Sequence, residues 1–351
     1  MKLALRIARP LIILLILAGA SWLLYEELKD LRFNDLVEDL KATRASQIAL
    51  AVCLTALNYV ILLGYDWLAI RYVGHPLSLG KLAVASFIGH VSSFNLGGIA
   101  GGSSMRYRIY SAWKFSMLEV VQLVAILGLT FWLGVLALAG IVFLVAPFPI
   151  PEEVLHLLPD WARGWLASWG LRFLAVILLA HVAAYLGICA VRRKPLRFWH
   201  WEVPLPPPSL SLGQIAVSCA DLMVAAAIFY VLLPSKLSAL VSYPELLGMF
   251  LLALVVQVAL HVPAGIGVFD AVMVAFFLEQ KESMTAALLV FRGVYYLLPL
   301  AVAGMVWLGL EITLGRQFFR EVSGKLKTAP AEGPASEDGA RQRLDGCQAK
   351  S

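Results

Sequence analysis

The sequence predicts an all-α polytopic membrane protein with about six full crossings, two Gly-broken re-entrant segments and a weak inverted repeat. Three observations carry this. Hydrophobic residues make up 60% of the 351 and charged ones only 15%, too few to coat a soluble fold of this length. The apolar residues fall in blocks long enough to span a bilayer, which needs roughly 20 residues per helix. The Lys and Arg residues gather in the segments between blocks, as the bias toward cytoplasmic loops requires.

The first block, Leu11 to Tyr25, follows Lys2, Arg6 and Arg9. Ala18-Gly19-Ala20 resembles a signal-peptide cleavage site, whereas Trp22 and Tyr25 read as interfacial anchors of a retained helix. Further blocks are Ile48–Ile70, Leu82 to about Ala100, Leu118–Val145, Leu171–Val191, Ile215–Leu233, Leu246–Val262 and Ala286–Leu314. We expect an integral membrane domain over 1–324. The Ala, Gly, Glu and Ser-rich stretch 325–351 reads as a disordered cytoplasmic tail.

Counting charges produces a conflict that is itself informative. With every block crossing, Arg106, Arg108 and Lys114 fall outside, and so does the cluster Arg192, Arg193, Lys194 and Arg197. The acidic loop with Glu152, Glu153 and Asp160 would then lie inside. If Leu82–Ala100 turns back at Gly97-Gly98-Ile99-Ala100-Gly101-Gly102, every loop takes its expected side. The same turn is expected at His261-Val262-Pro263-Ala264-Gly265-Ile266-Gly267. Both termini then face the cytoplasm.

A shift of 167 residues lays Gly98-Ile99 on Gly265-Ile266, and Lys114, Ser116 and Met117 on Lys281, Ser283 and Met284. This marks a first repeat at about 46–145 and a second at about 213–314, with opposite orientation. Broken segments at corresponding places in inverted repeats point to a transport site.

The polar residues kept inside the apolar blocks are the candidate functional groups. Arg106 and Arg108, with Tyr107 between them, follow the glycines Gly97, Gly98 and Gly101, where backbone amides and guanidinium groups suit an anion. Their alternative role is to snorkel to the cytoplasmic surface. His261 and Asp270 flank a break built from Pro263, Gly265 and Gly267, and read either as proton-linked groups or, for Asp270, as a helix cap. Arg292 requires an interior partner, and Asp270 is the expected one; with Tyr295 and Tyr296 it is a candidate substrate-binding group on a polar path, and Pro299 is a further expected hinge. Asp221 is a second buried acid, without an evident partner, and joins His261 and Asp270 as a candidate for a polar path or a proton-linked role. Asn58, Asn95, Glu119, Gln122 and His181 read mainly as interhelical hydrogen-bonding groups.

Several classes are disfavoured. Cys53, Cys189 and Cys219 lie in apolar blocks and Cys347 in the tail, with no metal or disulfide spacing, so no metal or cofactor is expected. Enzyme motifs such as His-Glu-x-x-His, Gly-x-Ser-x-Gly or a P-loop are missing from the sequence, and no enzymatic activity is expected. The net charge of +5 fits an anionic leaflet rather than nucleic acid. His200, between Trp199 and Trp201, reads as part of an interfacial loop.

Three stretches together carry a family resemblance: Met105-Arg106-Tyr107-Arg108-Ile109-Tyr110-Ser111, His261 to Asp270, and Ala286 to Pro299. They resemble the YbhN-like bacterial inner-membrane proteins, within the broader family of the lysylphosphatidylglycerol synthase transmembrane region. The resemblance implies an inner-membrane protein related to the flippase half of aminoacyl-phosphatidylglycerol synthases, without their synthase domain. Asp270 stands where relatives commonly carry Glu. The function so implied is a lipid translocase acting on an anionic or modified phospholipid. The competing expectation is a non-transporting partner or scaffold of an envelope- or lipid-biosynthesis enzyme; the expected partners are membrane lipids, with a second copy of the chain or such an enzyme beside them.

Overall fold

The computed structural model describes residues 43–152, 155, 160–191, 196–198, 201–203, 206–259 and 267–309. The first apolar block, the cluster at Arg192–Lys194, His200, His261, Pro263, Gly265 and the tail 325–351 lie outside them.

Nearly all described residues are helical. α1 (Ala45–Val73) runs for 29 residues, about 43 Å at the α-helical rise, and so exceeds the hydrocarbon core of a bilayer. It ends at Gly74, whose φ of 79° makes the left-handed C-terminal cap. α2 (Leu79–Leu96) stops at Gly97, and a π-helical turn (Gly98–Ser103) leads into the short α3 (Ser104–Ala112). α4 (Met117–Val145) begins with a capping box between Ser116 and Glu119. α5 (Asp160–Val191) is broken at Gly170, and its apolar part is Gly170–Val191. A small hairpin of β1 (Leu196–Phe198) and β2 (Trp201–Val203) follows, an antiparallel addition to the expected all-α fold.

α6 (Pro208–Leu232) opens with proline in its first turn, where the missing N–H costs nothing. The single-turn α7 (Ser235–Ser238) leads to α8 (Tyr243–Ala259), and α9 (Val268–Ala275) starts after Gly267. α10 (Lys281–Phe291) passes into a π-helical turn (Arg292–Leu297) before the chain resumes an α-helix. Pro299 explains the widened turn: it cannot donate to a carbonyl four residues back, and its ring displaces that carbonyl. The chain is one compact unit to Ala303; of the second, Gly304–Ser351, the described residues 304–309 are helical.

Among the described residues, five helices are long and apolar enough to cross a membrane: Ala45–Val73, Met117–Val145, Gly170–Val191, Pro208–Leu232 and Leu278–Gly309. Each overlaps a block read as a full crossing. The blocks read as re-entrant correspond instead to α2 and α8; a short helix follows each, α3 after the turn that begins at Gly97 and α9 after Gly267, whose φ is 86°. The order long helix, broken pair, long helix therefore occurs twice.

Packing has the character of a membrane interior. Where α6 crosses α4, a side chain at Gly134 would collide with Ser218, so the two backbones approach closely. Phe229, Phe250, Phe269 and Phe291 interlock edge-to-face around one core, with Phe250 and Phe269 centroids 5.1 Å apart. Outward positions such as Val60, Leu118, Val145 and Val191 stay apolar and exposed, as a lipid-facing surface requires.

Candidate functional site

The first polar cluster forms where α3 folds back along α2. Gly97 allows the reversal because its φ is 85°, a conformation other residues adopt at a cost. At Gly101 a Cβ would strike Leu96 and the Ser92 carbonyl, so the turn closes only without a side chain there. Gly89 gives the returning helix its slot: a Cβ at that position would sit 2.7 Å from the Arg106 guanidinium carbon.

In this slot Arg106 is buried and faces Asp66 of α1. Its Nε and Nη2 donate to Oδ1 and Oδ2 of Asp66 at 3.3 and 3.4 Å, and Nη1 donates to Ser93 Oγ at 3.2 Å. The Tyr110 hydroxyl donates to the same carboxylate at 3.2 Å, and His90 Nε2 lies 3.0 Å from Oδ2. Asp66 has no exposed surface, so only this ring of donors makes its charge tolerable. Asp66 and His90 are not among the residues singled out from the sequence. The available signal was a carboxylate within the block Ile48–Ile70, accompanied by downstream basic groups.

This geometry corrects one expectation. Arg106 and Arg108 do not form a single anion pocket, because residues two apart project from opposite sides of a helix. Arg106 is turned inward, while Tyr107 and Arg108 are exposed. A second correction concerns His181, which is exposed on α5 with Nδ1 2.8 Å from its own helix's Ile177 carbonyl. Asn95 and Glu119 also bond locally, Asn95 to the Val91 carbonyl and Glu119 to Ser116, although Glu119 reaches His75 as well.

The second cluster joins α1, α6 and the π turn. Asn58 Nδ2 donates to Asp221 Oδ1 at 2.8 Å and to the Tyr295 hydroxyl at 3.0 Å. The Tyr65 hydroxyl donates to Asp221 Oδ2 at 2.8 Å and lies 2.8 Å from Ser218 Oγ. The clusters touch, since Tyr65 and His90 meet edge-to-face with centroids 5.7 Å apart.

The third is the expected partnership of Arg292 with Asp270. Both Nε and Nη2 of Arg292 donate to the carboxylate. Asp270 also accepts from the Gly267 amide at 3.3 Å, so capping of α9 and ion pairing coexist in one side chain. This pair is more open than the Asp66 pair: 17% of the Arg292 side chain and 16% of Asp270 are exposed.

Aromatic rings tie the first break to the π turn. Phe94, three residues before Gly97, packs against Tyr295 and Tyr296 with centroids 5.8 and 6.4 Å apart. Gly98 lies at the start of the π turn after Gly97, and Pro299 is buried just beyond the other π turn.

Fold and site together define a multi-pass helical membrane protein in which three carboxylates and two arginines are gathered beside helix breaks. The chain belongs to the lysylphosphatidylglycerol synthase transmembrane region family, whose model matches residues 7–303. It is 36% identical to the uncharacterized protein slr0712 of Synechocystis sp. over 283 residues, 80% of this chain and 84% of that one. It is 33% identical to the inner membrane protein YbhN of Escherichia coli over 265 residues, covering 74% and 79% of the two chains. A phosphatidylglycerol lysyltransferase of Staphylococcus aureus is 27% identical over 294 residues, which is 80% of this chain but 31% of the larger protein. The kinship with YbhN and the apolar helices support a multi-pass protein of the inner membrane.

Proposed function

We propose that this protein moves a phospholipid with an anionic head group between the leaflets of the inner membrane. The observation that carries this reading is the contrast between its two arginine pairs. Arg106 is enclosed by Asp66, Ser93 and the space at Gly89, and holds α3 against α2. Arg292 faces Asp270 at a partly accessible position beside a widened helix turn. A phosphate can compete there for the guanidinium, because its oxygens match the same bidentate geometry. Asp270 then keeps the arginine charge matched whenever no head group is bound.

In this reading the pairs α2/α3 and α8/α9 are re-entrant and belong to inverted repeats, with both termini in the cytoplasm. Tyr295 and Tyr296 line the route beside Arg292, and the apolar outer surface accommodates the acyl chains. The staphylococcal relative is named for acting on phosphatidylglycerol. That likeness supports an anionic glycerophospholipid as the cargo class.

The test is head-group movement in proteoliposomes, followed with a fluorescent phosphatidylglycerol whose outer-leaflet copies are chemically quenched. Wild-type protein should expose nearly the whole labelled pool. Arg292→Ala should expose only the outer leaflet while remaining monodisperse and helical. Full movement by that variant would refute the assignment.

A further inference from the structure

Of the three carboxylates in these clusters, Asp221 alone has no cationic partner among the described residues. Asp66 has Arg106 and Asp270 has Arg292, whereas the groups bonded to Asp221 are the amide of Asn58 and the hydroxyl of Tyr65. Only 5% of Asp221 is exposed. An ionised carboxylate with neutral partners in such a place lacks the compensation that buried charges otherwise find. A proton supplies it.

The surroundings favour a proton over a metal cation. A metal needs oxygen lone pairs converging on it, but Asn58 Nδ2 and the Tyr65 hydroxyl both present hydrogens to the carboxylate. No group of three His, Cys, Asp or Glu side chains able to hold a metal occurs among the described residues.

Asn58 also carries the means to accept either charge state. Its Oδ1 is buried without a hydrogen-bond partner. Rotating the amide by half a turn brings that carbonyl oxygen to Asp221 Oδ1, where it accepts from a protonated carboxyl. The Tyr295 hydroxyl, which accepts from the Asn58 amide in the present arrangement, donates to the carbonyl in the other. Tyr59, adjacent in sequence, adds a second buried polar atom without a partner, its hydroxyl.

Among the described residues the packed helices bring no unpaired counter-charge; His90 of α2, whose ring meets Tyr65 edge-to-face, is directed to Asp66 at 3.0 Å. On α1 the facing titratable groups are Tyr59 and Tyr65, while Asp66 is held by Arg106 and Arg71 lies over Trp67. α6 itself adds Cys219. α4 offers Thr130 and the Phe131 carbonyl, and its Glu119 is engaged with Ser116 and His75. On α5, Arg172 and His181 are exposed, and Tyr185 and Cys189 are residue types that never carry a positive charge. On α8, Glu245 caps Ser242. α10 has Lys281 and Glu282 at its exposed start, and the π turn contributes Tyr295 and the Arg292 already paired with Asp270.

We propose that Asp221 is a proton-binding site, with Asn58 as the amide that rotates between its two states, and that loading and unloading this proton accompanies lipid movement. The proton is taken from and returned to solvent. No other bond forms or breaks. The final clause rests on the translocation reading, but the site itself does not.

Infrared difference spectra of the full-length protein in lipid nanodiscs, recorded between mildly alkaline and mildly acidic pH, test the site directly. Wild-type protein should show a carboxylic C=O band that grows on acidification and disappears in Asp221→Asn. If that variant does not fold, Tyr65→Phe provides the second reading: losing a hydrogen bond, the band should move to higher wavenumber. No such band, a band unchanged in both variants, or one that responds to sodium instead of pH would overturn the proposal. A protein that shows the Asp221 band yet moves no lipid would leave the site standing and defeat the translocation reading.

Discussion

Arg106 and Asp66, forty residues apart in sequence, meet inside the protein with Nε 3.3 Å from Oδ1, and neither side chain is more than 4% exposed. Their contact fixes the short helix α3 against α1, so it is the part of the structure most sensitive to unbalanced charge. Removing one partner from a buried pair typically costs about 3–5 kcal/mol, because the other charge is stranded. Asp66→Ala and Arg106→Ala should each lower stability by that order. The double variant Asp66→Leu with Arg106→Met should recover much of the loss. Chemical denaturation in detergent, arranged as a double-mutant cycle, measures the coupling; additive losses would show that the pair does not act as a unit.

Gly89 and Gly80 lie on the same helix and should respond in opposite ways to alanine. At Gly80 nothing lies within 4 Å of the added carbon, so Gly80→Ala should stabilise α2 by roughly 0.5–1 kcal/mol through helix propensity. At Gly89 the added carbon meets the Arg106 guanidinium 2.7 Å away, so Gly89→Ala should destabilise. Thermal unfolding of the two variants beside the parent decides this, and equal behaviour would remove the steric account of the slot.

The Asp270 side chain combines two tasks that substitution can separate. Asp270→Asn keeps an acceptor for the Gly267 amide but weakens the hold on Arg292. On the translocation reading it should leave the protein folded and tighten the apparent affinity for anionic lipid, since the competing carboxylate charge is gone. Asp270→Ala should lose the cap as well, at about 1 kcal/mol. Lipid binding followed by native mass spectrometry would register the first effect; weaker binding by Asp270→Asn would count against competition at Arg292.

Topology can be read with single cysteines after Cys53, Cys189, Cys219 and Cys347 are replaced. A cysteine at Ser104 should react only from the cytoplasmic side, and one at Ser283 only from the outside. Labelling of Ser104 from outside would mean that α2 and α3 do not form a re-entrant pair, and the inverted repeat would fall with it.

The Arg292–Asp270 pair is legible in the amino-acid sequence. An arginine inside an apolar helix requires a partner, and Asp270, the acid beside the expected break at Gly267, is the candidate nearest to it among the buried acids read from the sequence. The Asp66 cluster is not legible in the same way. Its members lie at 66, 90, 93, 106 and 110, on three helices, and only the reversal at Gly97 brings them together. Arg106 and Arg108 look like one basic patch in a linear reading. Helical rotation sends one inward and the other outward.

The sequence by itself therefore determined the medium and the segments. Block length and composition decide which stretches enter lipid, because transfer free energy accumulates along a helix irrespective of its neighbours. It also located the turns at Gly97 and Gly267 and the widened turn before Pro299, since glycine and proline act on the local backbone. Only the tertiary structure decided which charges were matched and which was left with neutral company. Partner choice depends on helix rotation and on approaches of about 3 Å, and such distances are settled by packing among helices far apart in the chain. That is why Asp221, without an evident partner in the sequence, became in the structure the one buried carboxylate among the described residues with no cation beside it.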